Sequence, residues 1–303
     1  MNNRIKIVSI MLIITTLLLG SCEKDVVVDN NKKVNSKEAL ILDLKQYSQN
    51  FRIEVTQKEQ SWWQRFKKKC KDVIVVAGAD VTAGAATAGA VVGTASLLNV
   101  TPGAPAVWGV AGAAGCLSGA GASIYTARNM KSTLLLDNKY LYEIEPLCSN
   151  SENKFDFIGK NHNYLLNYYV KGNQSEISKE ILNSLLNEYM RINGIDENSL
   201  ILKREDILTL AYNGIIQNSN VPYQANNIAN FINNNYQDSY DREIMNIYFT
   251  KISTIESVEE FLEYTKGYEH IIISTVGQEY YSYVLSSLSV ARFSVGYWVT
   301  SGE

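Results

Sequence analysis

From Val81 to Ala127 the chain reads VTAGAATAGAVVGTASLLNVTPGAPAVWGVAGAAGCLSGAGASIYTA, 47 consecutive residues without Asp, Glu, Lys, Arg or His. Extended back to Val73, the stretch has Gly or Ala at 26 of 55 positions. A segment this long without charge and this rich in small residues is read as buried, in protein or in lipid. Asn99 to Pro105 interrupts it with two prolines and a glycine, which end a helix and turn the chain. The reading is a helical hairpin with arms over 73–98 and 106–127.

Small residues recur at every fourth position in each arm: Ala85, Gly89 and Gly93 in the first, then Ala111, Gly115, Gly119, Ser123 and Ala127 in the second. Four residues advance a helix by slightly more than one turn, so each set forms a smooth stripe on one face. Backbones approach closely along such stripes, as in GxxxG packing within membranes.

Arms of 26 and 22 residues would measure about 39 and 33 Å, against roughly 30 Å of hydrocarbon. Trp62 and Trp63 with Arg65, Lys67, Lys68 and Lys69 precede the first arm, and Tyr125 and Arg128 close the second, in the places of interfacial anchors. Asp80 breaks the pattern, since a carboxylate at mid-span costs roughly 2.5 to 3.5 kcal/mol; it is read as the edge of the span. Gly and Ala carry little transfer energy, so arms of this kind would pass the inner membrane during export and insert later. Packing inside the chain's own helical domain is the alternative, with small residues serving close approach.

The amino terminus has Arg4 and Lys6, an apolar run from Ile7 to Leu19 and small residues after it, the layout of a secretory signal. Leu19-Gly20-Ser21-Cys22 resembles the bacterial lipobox, with Cys22 where diacylglyceryl transfer needs a thiolate. Lipid on Cys22 would hold the mature chain to a membrane. Removal of residues 1–21 leaves 26 basic against 31 acidic residues, a formal charge of −5, which does not suggest nucleic-acid binding. Cys70, Cys116 and Cys148 show no metal-ligand spacing and allow at most one disulfide.

The expected organisation is all-α: signal peptide over 1–21, tether with a short helix over 22–60, glycine-zipper hairpin over 61–131 and helical domain over 132–303. Glu23 to Lys37 is polar and reads as a flexible tether. Ala39, Leu40, Leu42, Leu44, Tyr47 and Phe51 then suggest an amphipathic helix. In the C-terminal part, Ile177, Ile181, Leu182, Leu185, Leu186, Tyr189 and Met190 follow the helical period, and Gly194 stands where that helix stops. Further stripes are Ile207, Leu208, Ala211 and Ile215, then Ile244, Ile247, Tyr248 and Ile252. Ser257 with Glu260 fits a capping box, and Gly267 is read as a stop. The Asn run over 226–235 is read as solvated surface. Gly277, Tyr281, Val284, Leu288, Ala291, Val295 and Trp298 have the spacing of an interhelical seam, serving internal packing or self-association.

No recognisable set of catalytic groups is present: His162 and His270 belong to no ligand set or nucleophile elbow, and no phosphate loop, dinucleotide fingerprint or zinc pattern occurs. His162, in Gly159-Lys160-Asn161-His162-Asn163, is read as a cap or a backbone-bonding residue. The expectation is a non-enzyme without cofactor or metal.

Taken together, the lipobox, the Trp-Trp and Lys-rich segment, the Gly/Ala hairpin, Phe155-Asp156-Phe157-Ile158-Gly159-Lys160-Asn161-His162-Asn163 and Val290-Ala291-Arg292-Phe293-Ser294-Val295-Gly296-Tyr297-Trp298 resemble Bacteroidetes surface lipoproteins with glycine zippers. A Cys-Glu-Lys-Asp start also looks like the surface-export signal of that group. The resemblance implies a lipid-anchored protein of the outer membrane, on the cell surface. It further implies a membrane-active hairpin, as in antibacterial surface toxins that act on neighbouring cells. The alternative is a non-catalytic envelope structural or binding lipoprotein whose hairpin packs within its own fold or membrane. Membrane lipid is the expected partner, through acylated Cys22 and the hairpin.

Overall fold

In a computed structural model of the chain, the described residues are 30–52, 105–129, 141–171, 178–219, 239–255, 257–278 and 281–300, with positions 73, 76–78, 80, 81, 83, 84, 87 and 88 of the first arm. They are 85% helical with no strand, as the hydrophobic periods predict. Helix α1 is Asn30–Asn50, and the described first-arm positions are also helical. The second arm is α2, Pro105–Asn129, followed by α3 Leu141–Cys148, α4 Asp156–Lys171, α5 Lys179–Asn193 and α6 Arg204–Ser219. The last three are α7 Ser239–Ile252, α8 Val258–Val276 and α9 Ser282–Thr300. The chain divides into Met1–Ala39 and Leu40–Glu303; within the first unit the described residues are helical. Asn30 to Lys37 therefore belongs to a helix, not to a tether, because nothing in Asn-Asn-Lys-Lys-Val-Asn-Ser-Lys is a Gly or Pro that would stop α1 from extending back.

Two rods form the interior of the larger unit. In α2 every side chain from Val110 to Ile124 is buried, and in α9 the same holds from Ser282 to Val299 except for half-buried Tyr283. A helix buried on all sides cannot be amphipathic, and apart from Arg292 of α9 the buried residues of both are apolar or small around the whole circumference. The serines of α9 fit such a place because they bond their own helix: Ser286 donates to Ser282 O at 2.7 Å and Ser287 to Tyr283 O at 2.8 Å. α4 lies against both rods, α3 and α8 against α9, and α5 and α6 against α2.

The outer helices bury one stripe each. α5 hides Leu182, Leu185, Leu186, Tyr189 and Met190. Ser178 caps its start by accepting from Ile181 N, and Gly194, at φ 61°, ends it in the left-handed conformation. Ile207, Leu208, Ala211 and Ile215 are buried on α6, and Ile244, Tyr248 and Ile252 on α7. Ser257 caps α8 through Glu260 N at 3.1 Å.

Gly267 is not a stop. α8 runs through it to Val276, and Gly277, at φ 84°, is the cap rather than the first residue of the seam. A Cβ on Gly267 would collide with the Tyr47 ring, so the residue is small for the sake of a neighbour. Tyr47 stacks on Tyr264 with ring centres 5.4 Å apart, and Tyr248 adds a third ring 5.8 Å beyond Tyr264. This aromatic column joins α1 to α7 and α8. The other seam residues, Tyr281 through Trp298, are buried within the chain's own fold, the internal-packing alternative. The Asn run lies outside the described residues. Among the described residues, no helix is long and apolar enough to cross a membrane.

Candidate functional site

The two arms meet through missing side chains. A Cβ on Gly84 would stand 3.1 Å from Gly115 O, and one on Gly115 would stand 3.1 Å from Gly84 O and 3.4 Å from Ala88 Cβ. One turn on, a Cβ on Gly119 would meet Asp80 O and His162 Cδ2, both at 3.2 Å. The second-arm stripe of Ala111, Gly115, Gly119 and Ser123 is thus buried, with its glycines at close backbone approaches. Opposite it stand Asp80, Gly84 and Ala88, also four apart. The first-arm stripe proposed from sequence, Ala85, Gly89 and Gly93, lies outside the described residues. Ser118 Oγ ties the arms further, within 2.9 Å of Ala114 O on its own helix and 3.1 Å of Ala83 O across the gap.

The hairpin carries polar groups that the surrounding helices match. Asp80 is fully buried, not at an edge. Its Oδ2 accepts hydrogen bonds from Ser123 Oγ at 2.8 Å and from Ser294 Oγ of α9, and lies 3.4 Å from His162 Nε2 of α4. Trp298 Nε1 donates to Ser123 Oγ at 2.6 Å, so the indole orients the hydroxyl that faces the carboxylate. Four elements meet at one carboxyl group. Burial pushes Asp80 well above the usual carboxylate range, against the two serine bonds, and brings His162 down to about 4. His162 sits in the middle of α4, neither cap nor backbone binder; its Nδ1 pairs with Asn163 Oδ1 at 3.1 Å.

A second buried cluster centres on Arg292, in the middle of α9 and two residues before Ser294. The guanidinium of Arg292 is removed from solvent and reaches Asp156 Oδ1 at 2.5 Å, Glu269 Oε1 at 3.0 Å and the Cys148 carbonyl. Asn150 Nδ2 donates to Glu269 Oε2 at 2.6 Å and Asn153 Nδ2 to Glu269 Oε1 at 3.0 Å. Burial raises the Glu269 carboxyl, opposed by Arg292 and both asparagines. The cluster pins the Asn150 to Asp156 loop and α8 to α9, a buried charge pair with its remaining lone pairs bonded. Sequence reading missed it because its members are spread from Cys148 to Arg292 and include no pair at a motif spacing.

Cys116 and Cys148 are free, buried thiols; Cys116 Sγ contacts Ile158 O at 3.2 Å, and burial pushes Cys148 up to about 12. Cys22, Cys70, Trp62, Trp63, Arg65, Lys67, Lys68 and Lys69 lie outside the described residues. So do the side chains of Tyr125 and Arg128. Among the described residues no group of three or more His, Cys, Asp or Glu side chains could hold a metal ion. No family model, curated protein or solved structure matches this chain.

Proposed function

We propose that this chain is a non-catalytic envelope lipoprotein, anchored through lipid on Cys22 in the outer membrane, whose Gly/Ala hairpin serves as the core of a helical binding domain. The observation that carries the reading is the match between hairpin and domain. Ser294 bonds Asp80, His162 fits against Gly119, and a Cβ on Gly214 of α6 would collide with Thr87 Oγ1. Lipid offers none of these partners. A hairpin meant to lie permanently among acyl chains has no use for a carboxyl group set between two serines of different helices.

The anchor is tested by metabolic labelling with palmitate, which a Cys22→Ser chain would fail to incorporate. The hairpin is tested with that same lipid-free chain in buffer. It is expected to be monomeric and helical, to protect residues 73–127 from protease without any membrane, and to leave dye-loaded vesicles intact. The second reading, a toxin hairpin that leaves its enclosure to insert in a neighbouring cell's membrane, draws on the 47 charge-free residues from Val81 to Ala127. Vesicle leakage together with membrane-dependent protection of residues 73–127 would replace the first reading with the second.

A further inference from the structure

The hydrogen bonds around His162 fix which of its nitrogens carries hydrogen. Asn163 Nδ2 donates to Phe293 O at 2.7 Å, which orients the amide and leaves Asn163 Oδ1 as an acceptor. His162 Nδ1, 3.1 Å from that oxygen, must be the N–H donor. In a neutral imidazole the other nitrogen, Nε2, is then a bare lone pair, and it faces Asp80 Oδ2 at 3.4 Å.

Asp80 Oδ2 is an acceptor as well. Indole N–H groups only donate, so Trp298 occupies a lone pair of Ser123 Oγ and the Ser123 proton points to Asp80. Ser294 bonds the same oxygen. Two acceptors thus face each other where both side chains are fully buried, and Asp80 Oδ1 and His162 Nε2 have no hydrogen-bond partner among the described residues. With no added proton the site holds a bare carboxylate opposite a lone pair; with two it holds an imidazolium opposite a neutral acid. With one it is uncharged overall and the two acceptors become a donor and an acceptor.

We propose that Asp80 and His162 hold a single buried proton between them, and that this proton is the fastening that keeps the first arm of the hairpin against α4 and α9. The groups facing the carboxyl are Ser123 from α2, His162 with its Asn163 partner from α4, and Ser294 with Trp298 behind it from α9. None of these apart from His162 titrates in the neutral range, and among the described residues no cation is paired with Asp80. Removing the proton leaves a negative charge that, among the described residues, two hydroxyls oppose.

The sign of the pH effect follows from counting protons. In the unfolded chain, with His at its ordinary 6.5 and Asp at 3.8, the pair binds one proton between those values and none above 6.5. The folded pair keeps its one proton above 6.5, so stability falls as pH rises from 6.5 until the folded pair itself ionises. One proton corresponds to about a tenfold change in the unfolding constant per pH unit.

The test uses the full mature chain in mild detergent. Urea-dependent pulse proteolysis of wild type and Asp80→Asn is followed from pH 6 to pH 8.5, below the ordinary thiol range. An Asn amide can donate to Nε2 with no added proton, so the wild-type unfolding constant should rise relative to D80N by about tenfold per pH unit above 6.5. Parallel profiles for the two chains would overturn the proposal. A second measurement does not depend on the variant folding. Nitrogen-15 spectra of the imidazoles, with His270 assigned through His270→Gln, should show His162 protonated at Nδ1 and its Nε2 shift unchanged between pH 5.5 and 8. A His162 that takes up a second proton near pH 6.5 sinks it.

Discussion

Arg292 and Glu269 form an ion pair at 3.0 Å in which neither side chain meets solvent. A pair of this kind contributes little net stability over an apolar substitute, yet loss of one member strands the other. Arg292→Met should therefore destabilise the chain by about 3 to 5 kcal/mol. The double variant Arg292→Met with Glu269→Gln should recover part of that loss, as read by chemical denaturation. A double variant no better than Arg292→Met would show that Glu269 is not the partner that matters.

Gly159 and Gly119 rank the tightness of two helix crossings. A Cβ on Gly159 would stand 2.5 Å from Ser289 Oγ and 2.6 Å from Ser289 O, a backbone atom that cannot swing aside. The contacts at Gly119, with Asp80 O and His162 Cδ2, are 3.2 Å, so the neighbours need give way by only a few tenths of an ångström there. Gly159→Ala should cost about 1 to 3 kcal/mol despite the better helix propensity of alanine, and Gly119→Ala less than about 1 kcal/mol. Equal thermal shifts would contradict the ranking.

Gly194 is a backbone case without a packing case. It sits at φ 61° and a Cβ there would touch nothing within 4 Å. Gly194→Ala should cost about 1 kcal/mol through the left-handed conformation alone, and Gly194→Asn less, because asparagine tolerates that region. Unfolding midpoints of the two variants check the order.

Buried thiols add an alkaline limit. Burial raises Cys148 from 9.0 to about 12. A raised value means the unfolded thiol ionises first, so the contribution is intact below pH 9 and is lost as pH rises toward 12. The slope is about 1.4 kcal/mol per pH unit in that window. That slope is the share of Cys148, so Cys148→Ala should lessen the alkaline loss by about 1.4 kcal/mol per pH unit while buried Cys116 keeps its own share, and alkylating agents should leave Cys148 unmodified until the chain unfolds.

Sequence periodicity located the outer helices because each carries its reason locally. Ser178 and Gly194 bracket α5, and Ser257 starts α8, through bonds to residues only three or four positions away. Gly267 misled because a glycine tolerated for the sake of the Tyr47 ring looks, one-dimensionally, the same as a glycine needed for a positive φ. Asp80 was legible as an anomaly and not as a site: Ser123 is 43 residues away and Ser294 is 214. The four-residue stripe of α2 was readable since both its geometry and its partners are helical. On the first arm, the charge of Asp80 disguised the series Asp80, Gly84 and Ala88, and the stripe read there from sequence, Ala85, Gly89 and Gly93, lies outside the described residues.

The rod formed by Ser282–Thr300 has a consequence for biogenesis. Of the helices described it is synthesised last, yet α3, α4 and α8 all lie against it, and its Arg292 is the ion-pair partner of both Asp156 and Glu269. The packing of α3 and α8 on this rod, and the ion pairs to Arg292, form once the rod has been made, whereas α4, α5 and α6 already have α2 to pack on. Closure of the α3, α4 and α8 side of the fold thus depends on contacts between residues far apart in the chain, the kind that form late and set the pace of folding.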